Sequence, residues 1–310
     1  MTMAQVYSIG KPGQKWGESE KAKWRKAQVI KRSYQTEVVA KIDALREQFD
    51  VIEYGALHYE EGHYSLYALK SRNWNRSLPT VLVTGGVHGY ETSGVQGALR
   101  FLDTAASVYK DKVNLVVAPC VSPWGYETIN RWNPMAIDPN RSFYPDSPAQ
   151  ESAALMALVA GLGVKLMAHI DLHETTDTDN SEFRPALAAR DAVEHTNWNI
   201  PDGFYLVGDS ENPCDEMQKA IIDAVAKVTH IAPADEQGQL IGAPVTQFGV
   251  INYPTKSLGL CTGFSDATFN TTTEVYPDSP LSDEENCILA QVEAVTSALD
   301  YILASTKTGR

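Results

Sequence analysis

The segment Thr80 to Leu102, TVLVTGGVHGYETSGVQGALRFL, constrains this chain more than any other. Val81, Leu82 and Val83 read as a buried strand, Gly85 and Gly86 as a tight turn, and the residues after Glu91 as an amphipathic helix. A strand passing through a glycine turn into a helix commits this stretch to an α/β arrangement. His88 and Glu91 sit at the mouth of that turn, where one imidazole and one carboxylate can face a single zinc ion. Zinc takes nitrogen and oxygen ligands at about 2.0–2.2 Å, and a catalytic site keeps three protein ligands and one open position. The rest of the chain must therefore supply a third ligand, a base and a substrate clamp.

The α/β alternation continues along the sequence. Lys15 to Phe49 is charged and helix-compatible, with Val38, Ile42, Leu45 and Phe49 at helical spacing and Val29 and Ile30 as an earlier part of the stripe. Val51–Leu57 and Tyr64–Leu69 read as a hairpin turned at Glu60, Glu61 and Gly62, and Arg72 to Leu78 as a polar loop. Strand-like runs at Val81–Thr84, Val113–Pro119, Leu166–Leu172 and Glu274–Tyr276 then alternate with helical runs. The helical ones are Ala98–Val108, Glu151–Leu162, Cys214–Val228 and Asp283–Leu303. The pattern predicts a single α/β domain over 1–310, a mixed, mostly parallel twisted sheet with helices on both faces. Residues 1–50 form a helical N-terminal extension to it. Residues 173–213 and 229–273 read as long irregular stretches, of the kind that build sites in compact enzymes.

Composition narrows the functional classes. A formal net charge of −13 argues against a nucleic-acid partner, which needs a basic face. No run of 18 apolar residues is present, so no membrane span is expected. The first 26 residues lack an apolar core followed by a cleavage site and do not read as a signal peptide. Cys120, Cys214, Cys261 and Cys287 are dispersed and form no Cys-x-x-Cys pair, which suits a reduced, cytoplasmic protein using them as small apolar residues.

The third ligand is sought in Ala168–Asp179, AHIDLHETTDTD. His169 and His173 would share a metal on a helix, but the flanking residues are strand-like, and four strand residues span about 13 Å. His173, at the C-terminal end of the strand, is the better ligand. His169 is expected to be a core or supporting histidine. Asp171 shares a face with His173 about 6.6 Å along the strand, a plausible partner for it. Between the metal segments, Val121–Pro145 contains Pro123, Gly125, Pro134, Pro139 and Pro145, which argue for a shaped loop. It carries Arg131, Asn140 and Arg141. A guanidinium beside a metal can stabilise an oxyanion, and a second one paired with an Asn can hold a carboxylate. On spacing alone these arginines read first as surface charges in a loop.

His88-x-x-Glu91, Trp124-Gly125-Tyr126, Asn130-Arg131-Trp132-Asn133, Asp138-Pro139-Asn140-Arg141-Ser142-Phe143 and Asp171-Leu172-His173 occur in order. This series resembles the motifs of the zinc metallocarboxypeptidases, the carboxypeptidase A family, as a divergent bacterial-type member. The resemblance covers roughly residues 55–305. It implies one zinc ion held by His88, Glu91 and His173, with Arg131 stabilising the carbonyl and oxyanion. Asn140 and Arg141 would clamp the free C-terminal carboxylate of a peptide substrate. Glu274, in Thr271-Thr272-Thr273-Glu274-Val275-Tyr276, matches the family's general base, and Tyr253 is a candidate for its mobile substrate-site tyrosine.

Departures from the family pattern bear on the substrate more than the chemistry. Ser122-Pro123-Trp124 replaces Asn-Pro-Asp, Pro139 and Ser142 replace Leu and Asn, and Glu174-Thr175 replaces Ser-Tyr after His173. Two rivals share parts of the pattern. One is a succinylglutamate desuccinylase/aspartoacylase-type zinc amidohydrolase acting on a small N-acyl amino acid, whose base Glu precedes a β-rich domain. Here the roughly 36 residues after Glu274 suffice for one helix. The other is a non-catalytic binding protein on the same scaffold, which the presence of Glu274 and Arg131 disfavours. Gly263-Phe264-Ser265-Asp266-Ala267 imitates a serine nucleophile elbow but lacks a preceding apolar strand. The specificity pocket is expected within residues 240–272, where Leu258, Leu260 and Phe264 suggest an apolar preference and Lys256 an acidic one.

Overall fold

The computed structural model describes residues 7–307. Helix α1 (Glu18–Ala27) is followed by an extended stretch, a π-helical turn at Gln35–Val39 and α2 (Ala40–Ala44). Val38, Ile42, Leu45 and Phe49 are buried as their spacing predicts, but the helix ends at Ala44 and Phe49 opens strand β1 (Phe49–Tyr59). Val29 and Ile30 are not part of a helix and are 61% and 63% exposed. The Lys31 and Arg32 amides donate to the Glu127 carbonyl instead, which holds this stretch extended. β2 (Gly62–Ser71) closes the expected antiparallel hairpin with β1.

The centre of the sheet follows from apolar runs that must be covered on both faces. β3 (Thr80–Gly85), helix α3 (Thr92–Thr104) and β4 (Asn114–Ala118) come first. Helix α4 (Pro123–Thr128), helix α5 (Gln150–Gly161) and β5 (Ala168–Glu174) follow. Side chains alternate between two cores: Val81, Val83, Leu115, Val117, Ile170 and Leu172 face one, whereas Leu82, Val116 and Ala118 face the other with Leu155 of α5. On β5 the second face carries His169, Asp171 and His173, so apolar alternation on one side puts three polar groups on the other.

The two stretches that read as irregular contain regular elements. Residues 173–213 hold a π-helical turn at Asp179–Phe183, helix α6 (Arg184–Asp191) and β6 (Tyr205–Asp209). After α7 (Asp215–Val225), residues 229–273 hold β7 (Gln239–Leu240), β8 (Ala243–Gln247), β9 (Val250–Tyr253) and most of β10 (Phe269–Val275). These strands are too short to stand out in a sequence, and pairing with buried neighbours stabilises them. The shaped loop also contains α4, because a proline in the first helical turn loses no hydrogen bond.

Among the described residues, ten strands form one mixed sheet in the order β1-β2-β4-β3-β5-β10-β6-β9-β8-β7. β4, β3, β5 and β10 are parallel, and β10 carries Glu274 in register with His173 of β5. The last element, α8 (Glu284–Lys307), packs on α3 and α7. It is long and apolar enough to suit a membrane crossing, yet Ala290, Ala294, Val295, Ala298, Leu299 and Ile302 are buried in the protein core.

Candidate metal centre

His88 lies in the turn after β3, and backbone contact fixes that turn. A Cβ on Gly89 would stand 2.1 Å from the Gly125 carbonyl carbon and the Tyr126 nitrogen, so only glycine lets the turn press onto α4. Arg32 braces it from outside, donating to the carbonyls of Gly89 (2.9 Å) and Tyr126 (2.6 Å) and to Thr92 Oγ1 (2.6 Å). Glu91 is the residue before α3. Glu174, the last residue of β5, accepts from the Ser93 and Thr92 amides at 2.6 and 3.1 Å, which ties the start of α3 to the end of β5.

These ties bring His88, Glu91 and His173 together, with ligand atoms within 4.8 Å of one another and all three side chains buried. Glu91 Oε1 lies 2.8 Å from His88 Nδ1, and Oε2 lies 2.7 Å from His173 Nδ1. The second contact lacks hydrogen-bond geometry, so Oε2 is a buried oxygen without a donor. A divalent cation among the three donors would satisfy it, and this nitrogen–oxygen–nitrogen set is chemically suited to one. Each imidazole is held from behind. His88 Nε2 is 2.9 Å from Asp138 Oδ1, and His173 Nε2 is 2.7 Å from Asp171 Oδ2. Asp171 is itself fixed by Thr84 Oγ1 at 2.6 Å. Carboxylates on the outer nitrogens orient both rings with Nδ1 toward the centre.

The electrostatics suit a positive charge. Burial opposes ionisation at Glu91 and Asp138, but His173 and His88 at the first, and Arg131 and His88 at the second, hold both below the usual carboxylate range. Burial also opposes a charged His173, yet Glu91 and Asp171 hold it well above its ordinary value. A proton there stands where a metal's charge would serve equally. Glu274 differs: burial pushes its carboxyl up to about 8, with His173 pulling the other way and Glu91 adding to the rise.

A cavity of about 900 Å³ lies over the centre, lined by Arg131, Asn140, Arg141, Tyr253 and Glu274. Arg131 Nε donates to Asp138 Oδ2 at 3.0 Å, and its Nη1 is 3.7 Å from Asp179. The Asn140 amide is largely engaged, with Oδ1 accepting from the Cys261 amide (2.8 Å) and Nδ2 3.5 Å from His173 Nε2. Arg141 Nη1 donates to the Asn140 carbonyl at 2.6 Å, and Arg141 lines the cavity. Glu274 Oε2 accepts from Thr175 Oγ1 at 3.1 Å. Tyr253 is half-buried at the end of β9.

Other expectations divide. His169 is buried beneath the centre, bonded to Thr84 and Ser265, and burial pushes its pKa down to about 4. Leu258 and Leu260 line the cavity, but Phe264 stacks on Phe143, and Lys256 is exposed and paired with Asp266. Sequence reasoning assigned no part to Asp138, Glu174, Asp179, Arg184 or Arg32. Asp138 was within reach, since it stands two residues before Asn140 in a quoted motif; the others carry no local pattern.

No family model and no curated protein matches the sequence. Solved structures do. A candidate metallopeptidase from Shewanella amazonensis superposes with a TM-score of 0.66 at 22% identity, covering 89% of this chain and 98% of that one. The carboxypeptidase A of Helicoverpa armigera gives 0.60 at 15% identity, covering 90% and 75%. The metallo-carboxypeptidase of Burkholderia cenocepacia gives 0.57 at 17%, covering 88% and 69%.

The chain has the metallocarboxypeptidase fold. Within that fold, His88, Glu91 and His173 stand at the C-terminal edge of the central parallel strands, where α/β sheets place their ligands.

Proposed function

We propose that this chain is a zinc-dependent carboxypeptidase that hydrolyses the C-terminal peptide bond of its substrate. The observation that carries this is Glu274, in register with His173 and lining the same cavity as His88, Glu91, Arg131 and Arg141. His88, Glu91 and His173 hold the ion. When bound, it supplies a water of lowered pKa and polarises the scissile carbonyl. Glu274 takes the proton of the attacking water and returns it to the leaving amine. Arg131, held in place by Asp138 and Asp179, stabilises the negative charge that develops on the carbonyl oxygen. Arg141 receives the substrate's terminal carboxylate, with Asn140 beside it and Tyr253 facing the same space.

The rival reading, hydrolysis of a small N-acyl amino acid, uses the same residues on a shorter substrate. Zinc-loaded protein tests both with peptides that have free or amidated C-termini and with N-acyl amino acids. A carboxypeptidase cleaves only free-ended peptides. Turnover confined to N-acyl amino acids would install the rival, and turnover of none would remove both.

A further inference from the structure

Two guanidinium groups in the cavity, those of Arg141 and Arg184, have no carboxylate within 4.0 Å among the described residues. The other two arginines of the cavity are paired, Arg131 with Asp138 and Asp179 and Arg190 with Asp191. Arg184 is the more costly of the two, being only 8% exposed. Its Nη1 donates to Asn180 Oδ1 at 2.6 Å and the Asn199 carbonyl at 3.0 Å, whereas Nε and Nη2 bond to no acceptor among the described residues. A counter-charge reaching those idle donors from the cavity would offset the cost of burying this cation. Burial pulls this guanidinium below its ordinary pKa, and Asp179 offsets the pull only in part.

The turn that carries Arg184 fixes where that counter-charge would lie. The Arg184 amide bonds to the Asp179 carbonyl, closing a π-helical turn in which residues five apart stack on one side. Asp179 reaches Arg131 at 3.7 Å and Tyr90 Oη at 3.2 Å, so Arg184 belongs to the Arg131 end of the cavity. Arg141 belongs to the other end, where its carbonyl abuts the Gly259 turn beside Leu258 and Leu260. Tyr253 lines the same cavity; burial raises its phenol, and the Arg141 and Arg184 guanidinia pull the other way.

We infer that Arg184 binds a carboxylate on the acyl side of the cleaved bond, so that the substrate is acidic on both sides of it. The inference rests on the proposed function for which side is acyl. The anion is the side chain of a penultimate Asp or Glu, or the free end of a dicarboxylic acyl group; both present the same chemistry to Arg184.

The test uses the zinc-loaded full chain and two isosteric pairs. One is N-acetyl-Ala-Glu-Leu with its Gln counterpart, the other N-succinyl-leucine with N-succinamoyl-leucine. The acidic member should be favoured by about 10- to 100-fold in kcat/KM in at least one pair, which also identifies the source of the anion. Arg184→Met should collapse that ratio to near one, and Arg184→Lys should retain part of it, with melting curves confirming that both variants fold. No acidic preference in the parent protein, or an undiminished one in Arg184→Met, overturns the inference. Calorimetric binding of the same pairs to zinc-loaded Glu274→Gln separates this from the proposed function. An Arg184-dependent binding preference without hydrolysis by the parent protein keeps the anion site and removes the enzyme; equal binding of acidic and neutral members removes the anion site.

Discussion

The two ends of the site are built on different terms. The metal pole takes His173 from a buried central strand and His88 and Glu91 from the turn beside it, and each imidazole has a carboxylate behind it. The recognition wall takes Arg131, Arg141 and Arg184 from loops and short helices and leaves two of the three guanidinia without a carboxylate. On the proposed function, one region needs only an ion to be complete, whereas the other is completed by substrate. The chemistry is therefore fixed by the sheet, and specificity is free to vary with the loops around it.

The sharpest way to break this comparison is at its junction, Glu274. If it belongs to the chemistry and not to the metal pole, Glu274→Gln should lower kcat by about 10²–10⁴ while leaving about one zinc per chain by elemental analysis. His173→Ala should instead lose the zinc. A Glu274→Gln enzyme of full activity would remove the base assignment. A smaller effect probes the supports. Asp171→Asn keeps the shape of the carboxylate but not its charge, and should weaken zinc binding about 10- to 100-fold in chelator competition. The smallest concerns pH. Glu274 and Glu174 are raised by burial to about 8 and about 7. Carboxyls raised in the folded state favour folding at pH values below their unfolded pKa, and that contribution is lost as pH rises through the folded values. Metal-free protein should therefore melt lower as pH goes from about 5 to about 8, and Glu274→Gln should flatten the trend. A melting point that rises over that range would contradict the upward shift of these two carboxyls.

The contrast also explains what could be read in advance. The spatial grouping of His88, Glu91 and His173 was legible because two lie three residues apart after a glycine turn and the third lies near the end of an apolar strand, so local pattern and position in the fold coincide. Val81–Val83 and Ile170–Leu172 announced the central strands for the same reason. Tyr205–Asp209 and Val250–Tyr253 did not, since four or five residues between turns carry no distinctive period and become strands through their neighbours. Arg184 was invisible for a related reason: its importance comes from a π-helical turn and a missing counter-ion, neither of which is a sequence pattern. Lys256 shows the opposite error, a conspicuous charge near the site in sequence that is spent on Asp266 in space.

The carboxylate of Glu174 has a consequence beyond holding two elements together. Because it fastens the first amides of α3 to the end of the strand that carries His173, the grouping of His88, Glu91 and His173 is held by bonds within the protein. On the proposed function, a metal ion could then leave and return without the chain having to rebuild its grip, so that supply of the ion, and not refolding, would govern how quickly idle protein becomes active.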